Sequence, residues 1–313
     1  MTIGIIFLIL VALILLGSYI SYRIAFFAPT RVADEDVRIH LPEGEQYVPV
    51  RAGIQKSVDE MVARPFEPVW ITTFDGKKLF ARYYHTADGA PVQILFHGYK
   101  SSAILDCCGG SHFAIELGQN ALVVDQRSHG QSEGKAITFG VNERKDCLCW
   151  IQYVLDRFGA DTKIILSGLS MGAATVLMAT DLALPANVVG VMADCPYSAP
   201  DEIIKKVCRV EMHLPAGIMY PFVKLGARLF AGFDLEESRA VSAVAKTKLP
   251  ILLIHGEADT FVPCDMSRAM KAANPEQITL VTIPDAGHGL AYMTNPKRYE
   301  AAVKEFVQKV LDA

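Results

Sequence analysis

Gly168-Leu169-Ser170-Met171-Gly172 sets a serine between two glycines, at a spacing that fits a turn too tight for bulkier neighbours. Such a turn constrains a fold only when a strand runs into it and a helix leaves it. The flanking residues supply both. Upstream, Lys163-Ile164-Ile165-Leu166-Ser167 is a short apolar, β-branched run, as expected of a parallel strand buried on both faces. Downstream, Ala173-Ala174-Thr175-Val176-Leu177-Met178-Ala179 begins with small residues and continues with good helix formers. Glycines at 168 and 172 permit unusual backbone angles and a close approach of helix to strand. An ordinary Gly/Ser loop has the same composition, so the rest of the chain must decide.

A serine hydroxyl is a poor nucleophile at neutral pH and needs a base to take its proton and an acid to orient that base. In a strand–turn–helix site these partners are expected later in the chain, acid before histidine. Pro250–Gly256 reads as a buried strand followed by the loop Glu257-Ala258-Asp259-Thr260-Phe261-Val262-Pro263, in which Asp259 is the expected acid. Ile278–Ile283 reads as a strand followed by Pro284-Asp285-Ala286-Gly287-His288-Gly289, in which His288 is the expected base. Asp194, after the strand 188–193, is an alternative acid, and Asp265 and Asp285 are further carboxylates nearby. Among the eight histidines, His97 and His255 end strands before glycine and are expected to bond loop backbone; His129 belongs to a tight turn, and His40, His85, His112 and His213 have no motif around them.

Further strands are expected at 92–97 and 121–125, a hairpin at 69–73 and 78–84 around Asp75-Gly76, and helices at 142–158 and 297–311. This alternation predicts an α/β fold, a mainly parallel sheet covered by helices on both faces, with chemistry gathered at the carboxyl ends of its strands.

From about Trp70 to the C-terminus the chain resembles the α/β-hydrolase superfamily. The resemblance rests on His97-Gly98-Tyr99, Asp125-Gln126-Arg127-Ser128-His129-Gly130-Gln131-Ser132-Glu133-Gly134, the Ser170 pentapeptide, His255–Pro263 and Gly287-His288, in that order. It is nearest to bacterial esterase-like members similar to the serine aminopeptidase and Bem46-like groups. The resemblance implies a triad of Ser170, Asp259 and His288, and backbone N–H groups of Met171 and Tyr99 as the oxyanion hole. It also implies that the expanded stretch of about 196–244 is a small helical cap insertion over the active site, with apolar residues that line a pocket suited to an acyl or lipid chain.

Composition narrows the partners. A net charge of −4 without a sustained basic run leaves no electrostatic footprint for nucleic acid. No Gly-rich loop ending in Lys-Ser/Thr and no GxGxxG after a strand is present, so no nucleotide cofactor is expected. The seven scattered cysteines are a poor disulfide or zinc framework, so neither a metal nor a disulfide is expected, and no protein partner is required.

Thr2 to Tyr22 carries no charged residue, and about 20 helical residues span roughly 30 Å, the thickness of a hydrocarbon core. The stretch 1–22 is therefore expected to be a transmembrane anchor, 23–65 a juxtamembrane connection with a helix near Gly53–Ala63, and 66–313 the catalytic domain. A cleaved signal peptide is the other reading; it normally carries positive charge before the apolar run, whereas Arg23 and Arg31 come after it. Arg23, Arg31 and Arg38 favour the cytoplasmic side for the domain, as do the free cysteines, although single N-terminal anchors often export the domain attached to them.

The expectation is a membrane-anchored serine hydrolase that cleaves a carboxylic ester, thioester or amide through an acyl-enzyme. An acyltransferase or peptidase on the same triad, and a noncatalytic binding protein with this fold, are the alternatives.

Overall fold

Apolar residues at alternate and at consecutive positions along the strands decide which side of the sheet each element covers. The computed structural model describes residues 2–28, 41 and 44–312; Pro29, Arg31, Asp34-Glu35-Asp36, Arg38, His40 and Pro42 lie outside the described residues. The strands are β1 (Glu67–Thr72), β2 (Lys78–Tyr84), β3 (Val92–Phe96), β4 (Asn120–Val124), β5 (Ile164–Leu169), β6 (Val188–Asp194), β7 (Ile251–Gly256) and β8 (Ile278–Ile283). They form one sheet in the order β1-β2-β4-β3-β5-β6-β7-β8. The pairs β1–β2 and β2–β4 are antiparallel, and all others are parallel.

The helices are α1 (Thr2–Ala25), α2 (Arg51–Ala63), α3 (Ala103–Glu116), α4 (Glu143–Phe158), α5 (Met171–Ala179), α6 (Pro200–Lys206), α7 (Ala216–Gly226), α8 (Ala240–Val244), α9 (Asp265–Ala273), α10 (Ala291–Thr294) and α11 (Pro296–Asp312). One face of the sheet presents Ile94, Phe96, Leu122, Val124, Ile164 and Leu166 to the layer that contains α4, α5 and α8. The intervening residues Leu95, Ala121, Val123 and Ile165 point to the opposite face, toward α3 and α11. Strands covered on both faces bury every side chain, and each buried Val, Leu or Ile contributes about 1.5–3 kcal/mol.

The insertion between β6 and β7 contains α6, α7 and α8 with π-helical turns at Val207–Glu211 and Ala227–Ala231. Its central helix α7 packs along the last turns of α1. Phe222 lies against Gly17, Gly226 against the Ser18 carbonyl, and Phe230 meets Tyr19 and Tyr22 with ring centroids 5.2 and 5.8 Å apart. Residues 3–16 of α1 stand out from the protein with their apolar side chains exposed. Of the helices described, α1 is the one long and apolar enough to cross a membrane.

Candidate active site

β5 ends where Phe96 of β3 pairs with Gly168, and Leu169 pairs with Asp194 of β6. The chain must then reverse into α5 within one residue. Ser170 makes that reversal at φ 54° and ψ −112°, a backbone region that side-chain-bearing residues rarely occupy. The two glycines are required by proximity: a Cβ on Gly172 would sit 2.1 Å from the Phe96 carbonyl oxygen, and one on Gly168 would sit 2.3 Å from the Gly172 carbonyl carbon. The Ser170 N–H donates to the Asp194 carbonyl at 2.8 Å, which fixes the turn against the neighbouring strand.

The loops after β7 and β8 bring Asp259 and His288 to this serine. His288 Nε2 lies 2.9 Å from Ser170 Oγ, and His288 Nδ1 lies 2.7 Å from Asp259 Oδ2. A carboxylate accepts, so Nδ1 carries the ring proton and Nε2 presents its lone pair to the Ser170 hydroxyl. Asp259 Oδ1 accepts the N–H groups of Phe261 and Val262 at 2.9 and 2.8 Å. Burial raises the pKa of Asp259, but the hydrogen bonds from His255 and His288, the charge of His288 and the Val262 N–H outweigh it, holding the carboxyl at about 2. The acid of this site is ionised at any physiological pH.

The hydrogen bond to His288 Nδ1 is made by Asp259 and not by the expected alternatives, although Asp194 lines the same cavity. Asp194 is buried between β6 and Tyr299, and burial raises its pKa to about 6 against opposing contributions from His255 and Tyr299. Asp265 pairs with Arg268 at 2.7 Å on the surface. Both predicted structural histidines hold backbone: His97 Nε2 accepts the Gln126 N–H at 3.1 Å, and His255 Nε2 donates to the Val262 carbonyl at 2.8 Å while its Nδ1 accepts from Ser267. Burial lowers the pKa of His97 to about 4 and that of His129 to about 3, so both stay neutral.

Of the expected oxyanion donors, Met171 directly follows the serine, and Tyr99 follows Gly98, on which a Cβ would lie 3.5 Å from Ser170 Cβ. Met171 opens α5, so its N–H has no intrahelical acceptor. The Gly98 N–H is committed to Asp106 Oδ2 at 2.7 Å, and Asp106 Oδ1 accepts from Ser101 Oγ at 2.6 Å, which orders the loop that carries Tyr99. Burial raises the pKa of Asp106 against these two bonds. Sequence reasoning missed Asp106, although Ser102 as the N-cap of α3 places it in the first helical turn facing back to the loop. The Tyr99 hydroxyl donates to the Ala25 carbonyl at 2.8 Å, so its side chain ties this loop to the end of α1.

A cavity of about 840 Å³ opens over Ser170 and His288. Its walls include Phe27, Tyr47, Ile54, Leu105, Phe113 and Phe261, mostly apolar side chains. The expectation that the insertion 196–244 lines this pocket is corrected: among the described residues none of that segment reaches it. Its buried apolar residues pack on α1, α5 and α9, and the wall is built instead from residues just after α1 and around α2. Tyr47 also donates to the His288 carbonyl at 3.3 Å. No local sequence signal marks Phe27, Tyr47 or Ile54, because their place depends on how the N-terminal segment folds back.

Comparison with known proteins matches this architecture. A sequence profile of the alpha/beta hydrolase family matches residues 93–302. The chain is 27% identical over 232 residues to YqkD of Bacillus subtilis, an uncharacterised protein, covering 74% of this chain and 76% of that one. It is 24% identical over 311 residues to the alpha/beta hydrolase domain-containing protein WAV2 of Arabidopsis thaliana, covering 93% and 96%. Among solved structures, the esterase Pf2001 of Pyrococcus furiosus aligns with a TM-score of 0.67 at 24% identity, over 91% of this chain and 98% of that one. Est1E from Butyrivibrio proteoclasticus with ferulic acid bound aligns with a TM-score of 0.58 at 21% identity, over 78% and 100%. The profile runs from β3 into the first half of α11, enclosing the turn at Ser170 and the loops of Asp259 and His288, and by it the chain belongs to the alpha/beta hydrolase family.

Proposed function

We propose that this protein is a membrane-anchored serine hydrolase that cleaves a carboxylic ester through an acyl-enzyme. The observation that carries the reading is the hydrogen-bonded chain from Ser170 Oγ through His288 to Asp259, set at the floor of an apolar cavity. Ser170 Oγ attacks the substrate carbonyl as His288 Nε2 takes its proton, and Asp259 stabilises the imidazolium that forms. The oxyanion meets the N–H groups of Met171 and Tyr99, and each such donor contributes about 3–4 kcal/mol of barrier lowering. His288 then protonates the leaving alcohol, and activates the water that releases the acid. The apolar walls suit the acyl part of the substrate.

Anchoring through α1 is supported by the exposed apolar surface of residues 3–16. Retention of the segment is supported by its far end, where Phe26 is fully buried between Phe139 and Phe233, and the Phe26 carbonyl accepts the Ile137 N–H at 2.8 Å. Cleavage beyond the helix would strip this contact from the core. Arg23 at the end of the apolar run and the free cysteines favour the cytoplasmic side for the domain.

Hydrolysis of p-nitrophenyl butyrate by the wild type and by Ser170→Ala tests the reaction. We expect kcat to fall by at least about 10³-fold in the variant. Equal turnover by the two proteins excludes Ser170 as the nucleophile.

A further inference from the structure

We infer that Tyr47 is a positioning residue for His288: the segment leading into α2 clamps the loop of the base and keeps it in register with the loop of the oxyanion hole. The inference rests on the reading of His288 as the base of a serine hydrolase. It is carried by the place of this segment, which lies outside the stretch matched by the family profile and yet packs against both halves of the site.

Tyr47 is fixed to α2 by its backbone. Glu45–Tyr47 forms one short helical turn, in which the Tyr47 N–H donates to the Gly44 carbonyl at 3.1 Å. The Tyr47 carbonyl accepts the Val50 N–H at 3.1 Å, and the Val50 carbonyl accepts the Ile54 N–H at 3.0 Å. These bonds lead directly into α2, which buries Ile54, Val58 and Met61. Spacings of four and three residues place the three on one helical face. That face packs with Leu95, Cys107 and Leu290 in one apolar cluster, so the helix is seated on the domain. A segment packed this closely transmits position to what it touches.

α2 spans the cavity between two loops. On one side it packs along α3, whose first turn carries Asp106, the residue that holds the Gly98 N–H and orders the loop of Tyr99. On the other side it meets the stretch after β8: the Tyr47 hydroxyl donates to the His288 carbonyl at 3.3 Å, Gln46 lies over Gly287, and Gly53 lies against the Met293 sulfur. Gly287 leaves room for this approach, since a Cβ there would lie 2.2 Å from Gln46 Oε1. The flanks of the His288 loop are held by the domain itself, through the Ala258 N–H on the Ala286 carbonyl at 3.0 Å and the Leu290 N–H on the Gly287 carbonyl at 3.2 Å. At His288 the hold comes from Tyr47.

His288 must keep Nε2 2.9 Å from Ser170 Oγ and Nδ1 2.7 Å from Asp259 Oδ2 at the same time. Its ring pivots on the backbone that Tyr47 bonds, so a loosened carbonyl disturbs both bonds together. Misplacing a reacting group by about 1 Å costs on the order of 10²-fold in rate, and losing one neutral hydrogen bond corresponds to roughly 2- to 10-fold. Burial raises the pKa of the Tyr47 hydroxyl, which therefore remains a donor at neutral pH. The Tyr47 ring has a separate part, as cavity wall beside Ile54. The hydroxyl acts on His288 and the ring on the substrate, so substitutions can separate the two.

Tyr47→Phe keeps the wall and removes the donor. With the detergent-solubilised full chain on p-nitrophenyl butyrate, and active sites counted by a fluorophosphonate, its kcat should fall about 3- to 10-fold with KM within about twofold. Tyr47→Ala should lose kcat alike and raise KM at least about fivefold. Val48→Ala, at the exposed neighbour, should match the wild type. A second readout needs no turnover: the low-field proton resonance of His288 Nδ1–H, identified by its loss in His288→Ala, should shift or broaden in Tyr47→Phe and stay unchanged in Val48→Ala. Wild-type kcat per labelled site with an unshifted resonance in Tyr47→Phe overturns the inference, whether or not the melting temperature falls; so does an effect of Tyr47→Phe on KM alone. If the wild type neither hydrolyses the ester nor takes the probe, the reading of Ser170 fails, and the resonance alone decides whether Tyr47 positions His288.

Discussion

Ser170 is held at φ 54° with its hydroxyl on His288, and the two features pull in opposite directions energetically. Backbone strain of this kind costs about 1–3 kcal/mol, and glycine relieves it where alanine does not. Ser170→Gly should therefore unfold at higher denaturant than Ser170→Ala by about 1 kcal/mol, although both are inactive; equal stability would show that the turn is unstrained. Asp259→Asn removes the acceptor that sets the His288 tautomer, and kcat on short esters should fall roughly 10³- to 10⁴-fold with KM little changed. The same carboxyl links folding to pH. Its folded pKa of about 2 lies below the ordinary 3.8, so its stabilisation, about 2 kcal/mol, is complete above about pH 4 and lost as pH falls through about 2. Urea unfolding of the detergent-solubilised chain between pH 6 and 2 should show that loss in the wild type, and a flatter profile in Asp259→Asn. Ser170, Asp259 and His288 were legible in the sequence because each sits in a short motif at a strand end. Asp106 was not, because its role comes from the fold that turns α3 back on the loop after β3.

At the scale of elements, strand positions were legible because parallel strands buried on both faces leave short apolar runs, as in Val92–Phe96 and Ile278–Ile283. The helix at 142–158 and that at 297–311 were found for the corresponding reason, one apolar stripe against a charged face. What the runs could not disclose was the partner of α7. Its apolar residues look the same in sequence whether they cover a pocket or another helix, and here they cover α1. The approach of α5 to β3 is the tightest requirement among these contacts. A methyl group on Gly172 would meet backbone, which cannot rotate away. Gly172→Ala should cost about 1–3 kcal/mol in stability and displace the Met171 N–H enough to lower kcat at least tenfold. A variant with wild-type kcat and melting temperature would show that the strand and helix have room to spare.

At the scale of the molecule, one N-terminal helix serves two ends: residues 3–16 face outward with apolar side chains, while Ser18, Tyr22 and Phe26 enter the protein. Phe26→Ala should cost about 3–5 kcal/mol, read as a lower melting temperature in detergent, because it opens a cavity between Phe139 and Phe233. The long apolar helix was legible as an uncharged stretch, whereas the docking of its far end was not, since it depends on Phe139 and Phe233 arriving from distant parts of the chain. The central claim, that this fold presents Ser170 as an activated nucleophile, is tested most directly by a fluorophosphonate probe on the membrane-reconstituted chain, with the adduct located by peptide mass mapping. The account predicts one adduct, on the peptide containing Ser170, and none in Ser170→Ala; equal labelling of the two proteins, or an adduct on another residue, would contradict it.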